Sequence, residues 1–568
     1  MTPLTPRTLA SRFARAVQLV PVVFMLLLAA AVLLGEASEL TGLRPLAGAW
    51  GSRAFLILLV LVTAGLSRQL KIWETVAPPM RFALAPAIPG LVLAGYAIAV
   101  RPLPAGKRAE WFLGADHVRH LMFVPELQGA GNLSYAQQSY PRAWQTLVTA
   151  VWSATGGRPD ADGFRSLVDL MSTAAWFLPA VLSVATGSLA VHVGRRVGLG
   201  ERGRGEAPIA VAGLGAAAMV LWPSFLSIYQ ALGFENSFVG GIVLAVVAVE
   251  VIARKDGGGL AAVGVVLAAA VVCAHCWQLL LPAVGVAFIV LAGPLLARGD
   301  LRTRAVLLWG VLAAGLVATP ALVAVFTVIG IQHATDAGVK APRPAAMLLV
   351  ALLCSTWLAV RHREDRRMVG LWLVVLFPCL TGLALAARVG IPVTQYYPSK
   401  LLWHSATLGL APLAVVAVSA WRRLTPAALE NDTGPVVPLA GVLRVVTGVG
   451  GLLVLGVALI APAGAFVGAW STVRGPVVLD AVTSPGADGA QVVWLGTKGD
   501  DTIGRILLDF YRAGHTAART PQPPLDVSQE CALLKAASTP TVLSDRAPDE
   551  VRRRYSCVPA VRVIPVPR

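Results

Sequence analysis

Four residues that could do chemistry fall within one short stretch, "ADHVRH": Asp116, His117, Arg119 and His120. A carboxylate in such company can take a proton from a hydroxyl as a general base. Cationic and phenolic groups beside it can hold and neutralise a departing anion. Further polar groups recur at the ends of apolar runs: Glu235 and Asn236 in "LGFENSF", His275 and Gln278 in "AHCWQ", and His333, Asp336 and Lys340 in "IQHATDAGVK". The richest set is "TQYYPSKLLWH", with Tyr396, Tyr397, Ser399, Lys400 and His404. The plainer alternatives are that Asp116 caps a helix and that its basic neighbours face headgroups or water. A carboxylate at the base position, a cation for a phosphate and a groove for a long apolar tail are the needs of sugar transfer from a lipid-linked phosphate.

The elements that must position these groups are membrane helices. The chain has 568 residues, 56% of them hydrophobic and 14% charged, and a mean hydropathy of +0.71, far too apolar for a soluble protein of that length. The formal net charge of +17 sits in short clusters between apolar runs, which argues for loops of a membrane protein and against a nucleic-acid partner. A bilayer core takes ~20 apolar residues per helix. The apolar runs predict thirteen spans, near 17–35, 48–66, 82–100, 169–193, 208–232, 235–253, 259–275, 277–297, 305–330, 344–360, 368–387, 401–421 and 445–471. The seventh and eighth, parted only by "CAHCWQ", could instead be one broken element. With the N-terminus in the cytoplasm, inside segments carry 22 Lys plus Arg and the short outside loops 6. That asymmetry places loop 101–168 and the tail 472–568 outside. The first run is too long for a signal-peptide core and lacks a small-residue cleavage site, so an uncleaved first helix is expected.

The expected architecture is therefore an all-α polytopic membrane domain, 1–471, followed by a small α/β extracytoplasmic domain, 472–568. Within loop 101–168, Val118, Leu121, Met122 and Val124 recur near helical spacing, predicting an amphipathic helix lying in the interface, ended by Gly129 and Gly131. A second helix starts after Pro141. In the tail, "QVVWLG", "TPTVLS" and "VRVIPVP" read as strands, "TIGRILLDFYRAG" and "PDEVRRRY" as helices. Cys273, Cys276, Cys354 and Cys379 lie in spans as small hydrophobes. Cys531 and Cys557 form an even pair in an oxidising compartment, and a disulfide is expected. No comparable polar set is evident within the spans near the cytoplasmic face.

"FLGADHVRH" followed by "SYPRAW" resembles the GT-C superfamily of integral-membrane glycosyltransferases, and within it the actinobacterial arabinofuranosyltransferases that prime galactan. The likeness covers the order of spans over most of the chain; its residue motifs are few. It implies an inverting enzyme of the bacterial plasma membrane, taking a sugar such as arabinofuranose from a polyprenyl-phosphate donor to a cell-envelope glycan or lipid acceptor. It places Asp116 on the family's catalytic base. It implies Lys400, Tyr396, Tyr397 and Arg119 at the donor phosphate, and His117, Glu235 and His404 lining the sugar site. No cofactor is assigned, although some members of the superfamily hold a divalent cation on carboxylates such as Asp116.

Other signals are discounted. Cys273, His275 and Cys276 are too close together for a tetrahedral metal set, and "GLGERGRGE" follows no strand that would make it a nucleotide loop. The competing functions are a secondary transporter, which calls for internal repeats and midplane charges, an envelope polysaccharide polymerase or ligase, and a non-catalytic scaffold.

Overall fold

The computed structural model describes residues 6–75, 82, 84–99, 101–102, 117–133, 142–158, 161–199, 206–221, 235–254, 259–324, 345–424, 492–495, 526–537, 539–544 and 546–565. Backbone polar groups in lipid must be paired within the segment, so long runs of Ala, Val and Leu fold as helices. Eight helices are long and apolar enough to cross a membrane. They are α1 (Pro6–Thr41), α2 (Ala49–Gln69), α6 (Ala161–Arg196), α8 (Glu235–Ala253), α10 (Leu281–Arg298), α11 (Leu301–Ala324), α13 (Arg366–Val389) and α14 (Tyr396–Leu424). Shorter apolar helices occupy four other expected spans: α3 (Ile88–Ala99), α7 (Ala207–Val220), α9 (Gly259–Ala274) and α12 (Ala345–Arg361). The last expected span, 445–471, lies outside the described residues. The chain is a helical, polytopic membrane protein.

Burial sorts the helices. α8 is the hub, with 94% of its apolar stretch buried, whereas α11 has 11% buried. α8 packs against α1, α6, α9, α10, α13 and α14. α11 instead exposes Leu308, Trp309, Leu312 and Leu316, a face suited to lipid. Trp50 and Trp73, both exposed, bracket α2, as interfacial aromatics do. The "CAHCWQ" ambiguity resolves as two helices: α9 ends at Ala274, and a turn and the 3-10 helix Gln278–Leu280 lead into α10, which packs back on α9. Pro378 interrupts the ladder of α13; the next amide, of Cys379, donates to Ser405 Oγ on α14 at 2.8 Å, so the freed group is paired across helices.

Two helices in the long loop do not span. α4 (His117–Ala130) and α5 (Ala143–Ala154) pack against each other. The sequence predicts α4 lying on the bilayer, but Leu121, Val124 and Leu127 are buried within the protein. α5 and the 3-10 helix Pro45–Ala47 cover α4, so protein takes the place of lipid.

At the end of the bundle remote from α4, a polar cluster corrects the reading that none exists there. Arg254 Nε lies 2.7 Å from Glu250 Oε2, its second nitrogen 3.4 Å from Glu74, and its third donates to the Leu70 carbonyl at 2.9 Å. Arg254 and Glu250 are both buried. The pair ties α8 to the link after α2. Arg196, the last residue of α6, grips Asp365, the N-cap of α13, with two hydrogen bonds, of 2.5 and 3.0 Å.

The described tail residues build a parallel sheet, β1 (Val492–Leu495), β2 (Thr541–Ser544) and β3 (Arg562–Pro565), in that order. Parallel strands need crossovers, and α15 (Val527–Ala536) and α16 (Pro548–Arg554) lie in them. α15, absent from the sequence expectation, starts at a capping box of Asp526 and Gln529; "TIGRILLDFYRAG" lies outside the described residues. Cys531 and Cys557 are joined in a disulfide. Beside it the Tyr555 hydroxyl donates to Glu530 at 2.8 Å, and burial pushes the Tyr555 phenol up to about 12.

Candidate functional site

The site is built where α4 and α5 meet the ends of α1, α8, α9 and α14. Two arginines, Arg44 in the segment joining α1 to α2 and Arg53 near the start of α2, hold α4 and α5 in place. Arg44 donates to the carbonyls of Ala130 and Gly129 at 2.9 and 2.5 Å, closing the C-terminal end of α4. Arg53 donates to the Ala154 carbonyl at 3.0 Å and so closes α5. Helix C-termini carry unpaired carbonyls and partial negative charge, so a guanidinium suits each end. The chain leaves α4 through Gly131 at φ +80, where a Cβ would stand 2.5 Å from Arg44 Cβ. The other end of α5 is fixed as well: the Ala143 amide donates to the His275 carbonyl at 2.8 Å, and the buried Arg142 guanidinium donates to the Leu133 carbonyl.

So held, α4 and α5 present a buried polar chain to α8. Gln145 Nε2 lies 2.5 Å from His120 Nδ1, and His120 Nε2 lies 3.7 Å from Glu235 Oε2. All three side chains are at most 2% exposed. Glu235 opens α8, and a carboxylate in a first turn is favoured by the helix dipole. A second imidazole–carboxylate pair stands close in the same assembly: His275, at the end of α9, has Nε2 3.7 Å from Glu36 Oε1 of α1 and 3.0 Å from the Val317 carbonyl of α11. Its backbone is the one that holds α5.

The start of α14 supplies the cation. Lys400 Nζ lies 3.8 Å from the centre of the Tyr396 ring, 5.7 Å from that of Tyr397 and 5.9 Å from that of Trp277. Its side chain is 7% exposed, so much of its hydration is replaced by aromatic faces, an attraction of about 0.5–2 kcal/mol per good contact. One turn on, His404 Nδ1 faces the Lys400 carbonyl at 2.6 Å and Nε2 faces the Ser237 carbonyl at 3.0 Å. Its ring rests on Trp277 with centroids 4.8 Å apart. His404 therefore joins α14 to the first turn of α8 and braces the Lys400 surroundings through its backbone contacts.

The residues expected from sequence fall out as follows. Glu235, Tyr396, Tyr397, Lys400 and His404 are described; the last four share the start of α14, and His404 meets α8 two residues after Glu235. His117 and Arg119 belong to α4, but their side chains, and all of Asp116, lie outside the described residues. So do His333, Asp336 and Lys340. Among the described residues no three His, Cys, Asp or Glu side chains gather as metal ligands; His120 and Glu235 supply two groups, and no step is assigned to a cation. Sequence reasoning did not single out Glu36, Gln145, Arg142 or Trp277. Glu36 carried a weak signal, as an acid ending an apolar run; Gln145 carried none beyond its place in "RAWQTLV". Chemically, the assembly offers a desolvated ammonium for an anion and buried carboxylates for hydroxyl or cationic groups. No protein-family model, curated protein or solved structure matches the chain significantly, so the residues themselves carry the functional argument.

Proposed function

We propose that the chain is an integral-membrane glycosyltransferase that moves a sugar from a polyprenyl-phosphate donor to a cell-envelope glycan or lipid acceptor. In this reading arabinofuranose is the candidate sugar, and the protein sits in a bacterial plasma membrane. The α4 end of the bundle faces outward, as the Lys plus Arg asymmetry directs. The tail would then be an extracytoplasmic α/β domain after a thirteenth span. The observation that carries the reading is Lys400, buried against Tyr396, Tyr397 and Trp277 in the assembly that joins α14 to the Glu235 turn of α8. A low-exposure ammonium strengthens its hold on a phosphate because little water competes with it.

The proposed mechanism is a single inverting displacement. Asp116, immediately before α4, takes the proton of the acceptor hydroxyl as that oxygen attacks the anomeric carbon. The bond from that carbon to the phosphate oxygen breaks, and the charge left on the phosphate meets Lys400, the Tyr396 and Tyr397 hydroxyls and Arg119. Glu235 accepts hydrogen bonds from sugar hydroxyls, with His117 and His404 shaping the pocket. The exposed apolar helix faces leave the polyprenyl tail in lipid.

Transfer in membranes from a panel of radiolabelled polyprenyl-phosphate sugars tests this. Asp116→Asn should reduce transfer by roughly 10²–10⁴-fold at unchanged protein level. Transfer that survives the substitution removes Asp116 as the base. A transporter reading draws on one observation, the buried Glu250 of α8. The two further partners of Arg254, Glu74 and the Leu70 carbonyl, favour a structural tie there.

A further inference from the structure

Gln145 stands in a chain of contacts that the proposed mechanism does not use. Its side chain is fully buried and reaches His120 Nδ1 with the amide nitrogen, at 2.5 Å. An amide nitrogen can only donate, so Nδ1 accepts, and a neutral imidazole then carries its proton on Nε2. Nε2 is the atom facing Glu235 Oε2 across 3.7 Å. The helix bearing Gln145 has little freedom. Ala143 is held by the His275 carbonyl, Arg142 by Leu133, Thr149 Oγ1 by Val124 of α4, and Ala154 by Arg53. A glutamine so fixed selects one tautomer of the ring it touches.

We propose that Gln145 is a positioning residue for the sugar-binding carboxylate: it sets the His120 tautomer whose Nε2–H orients Glu235. This rests on the glycosyl-transfer reading for its consequence, though the contact chain itself does not. Gln145 touches no substrate; it acts through His120 and Glu235, and the three form a Gln–His–Glu series drawn from α5, α4 and α8.

The test is a double-mutant cycle on the full chain with Gln145→Leu, Glu235→Gln and the pair, measuring donor KM and kcat in membranes and thermal midpoints in detergent. Residues that act in series lose additivity. Each single substitution should raise donor KM by roughly tenfold with a smaller change in kcat, and the double should be no worse than the more severe single. Multiplying effects would overturn the proposal. Gln145→Asn, which keeps the amide but withdraws it by one methylene, serves the same cycle where the leucine variant fails to fold. Thermal midpoints separate the two ideas. Non-additive midpoints with no transfer from any donor keep the contact chain and remove the glycosyl-transfer reading; additive midpoints remove the chain whatever the transfer assay reads.

Discussion

Replacing Arg44 by alanine should loosen α4 without unfolding the bundle. Arg44 makes two charge-assisted hydrogen bonds, to Ala130 and Gly129, at a helix end whose dipole favours a cation. Buried, each such bond would contribute ~1.5–3 kcal/mol. Both are solvent-exposed here, and screening cuts exposed charged pairs to well under half of that. A total near ~1–2 kcal/mol remains, or about a 5- to 30-fold change in local opening. The Leu46 amide donates to the Gly131 carbonyl at 2.9 Å, a backbone contact that the substitution does not remove, so α4 should fray and not detach. Hydrogen exchange followed by mass spectrometry reads this directly. Amides in the last turns of α4 should exchange faster by that factor, with α8 unchanged, and Arg44→Lys should recover part of the protection. Equal exchange in Arg44→Ala and wild type would show that the guanidinium holds nothing and that covering by Pro45–Ala47 alone fixes α4.

Two further outcomes are expected. Cys531 and Cys557 are 26 residues apart, and closing a loop of that length removes about 3.5 kcal/mol of unfolded-state entropy. Replacing both by serine should make the tail a few hundredfold, on the order of 10²–10³, more open to limited proteolysis while the membrane helices resist. Asp365 shows a pH signature. Burial alone would raise its pKa, but the Arg196 hydrogen bond and the Arg367 amide outweigh burial and hold the carboxyl below its usual value. A depressed folded pKa contributes stability above the unfolded value near ~3.9 and loses it as pH falls through the folded one. The destabilisation caused by Asp365→Asn, measured as a midpoint shift, should therefore be constant above about pH 5 and fade below about pH 4; a shift that persists in acid would remove the Arg196 latch as its cause.

Hydropathy located the membrane helices because the bilayer imposes a length and a composition on every span. It did not find their ends. α1 runs over Pro6–Thr41 where apolarity marked 17–35, and α6 starts at Ala161 where apolarity marked 169, since a helix continues past lipid wherever protein covers it. The polar set at one end was legible for a related reason: ionisable residues flanking apolar runs are few, and Glu235, Tyr396, Tyr397, Lys400 and His404 stood out. Their partners did not. Gln145 lies 25 residues from His120, and Arg44 lies 85 and 86 residues from the carbonyls it closes. Such pairings exist only once helices pack, and no local period records them. Glu250 was passed over because one acid near the end of an apolar run looks like a boundary; its burial depends on neighbours from elsewhere in the chain.

The contrast between α8 and α11 carries a consequence for how this protein can change over generations. α11, turned mostly to lipid, is under little demand beyond staying apolar, and exchanges among Leu, Val, Ile and Phe along it should drift freely. α8 has no such latitude. A single methyl on Gly240 would stand 2.6 Å from Leu280 and 3.3 Å from His404 Nε2. Most exchanges along α8 meet another helix, so any substitution there has to be matched by one elsewhere. Relatives of this chain should then differ most where they face the bilayer, and α8 should be the thread by which distant ones are still recognised.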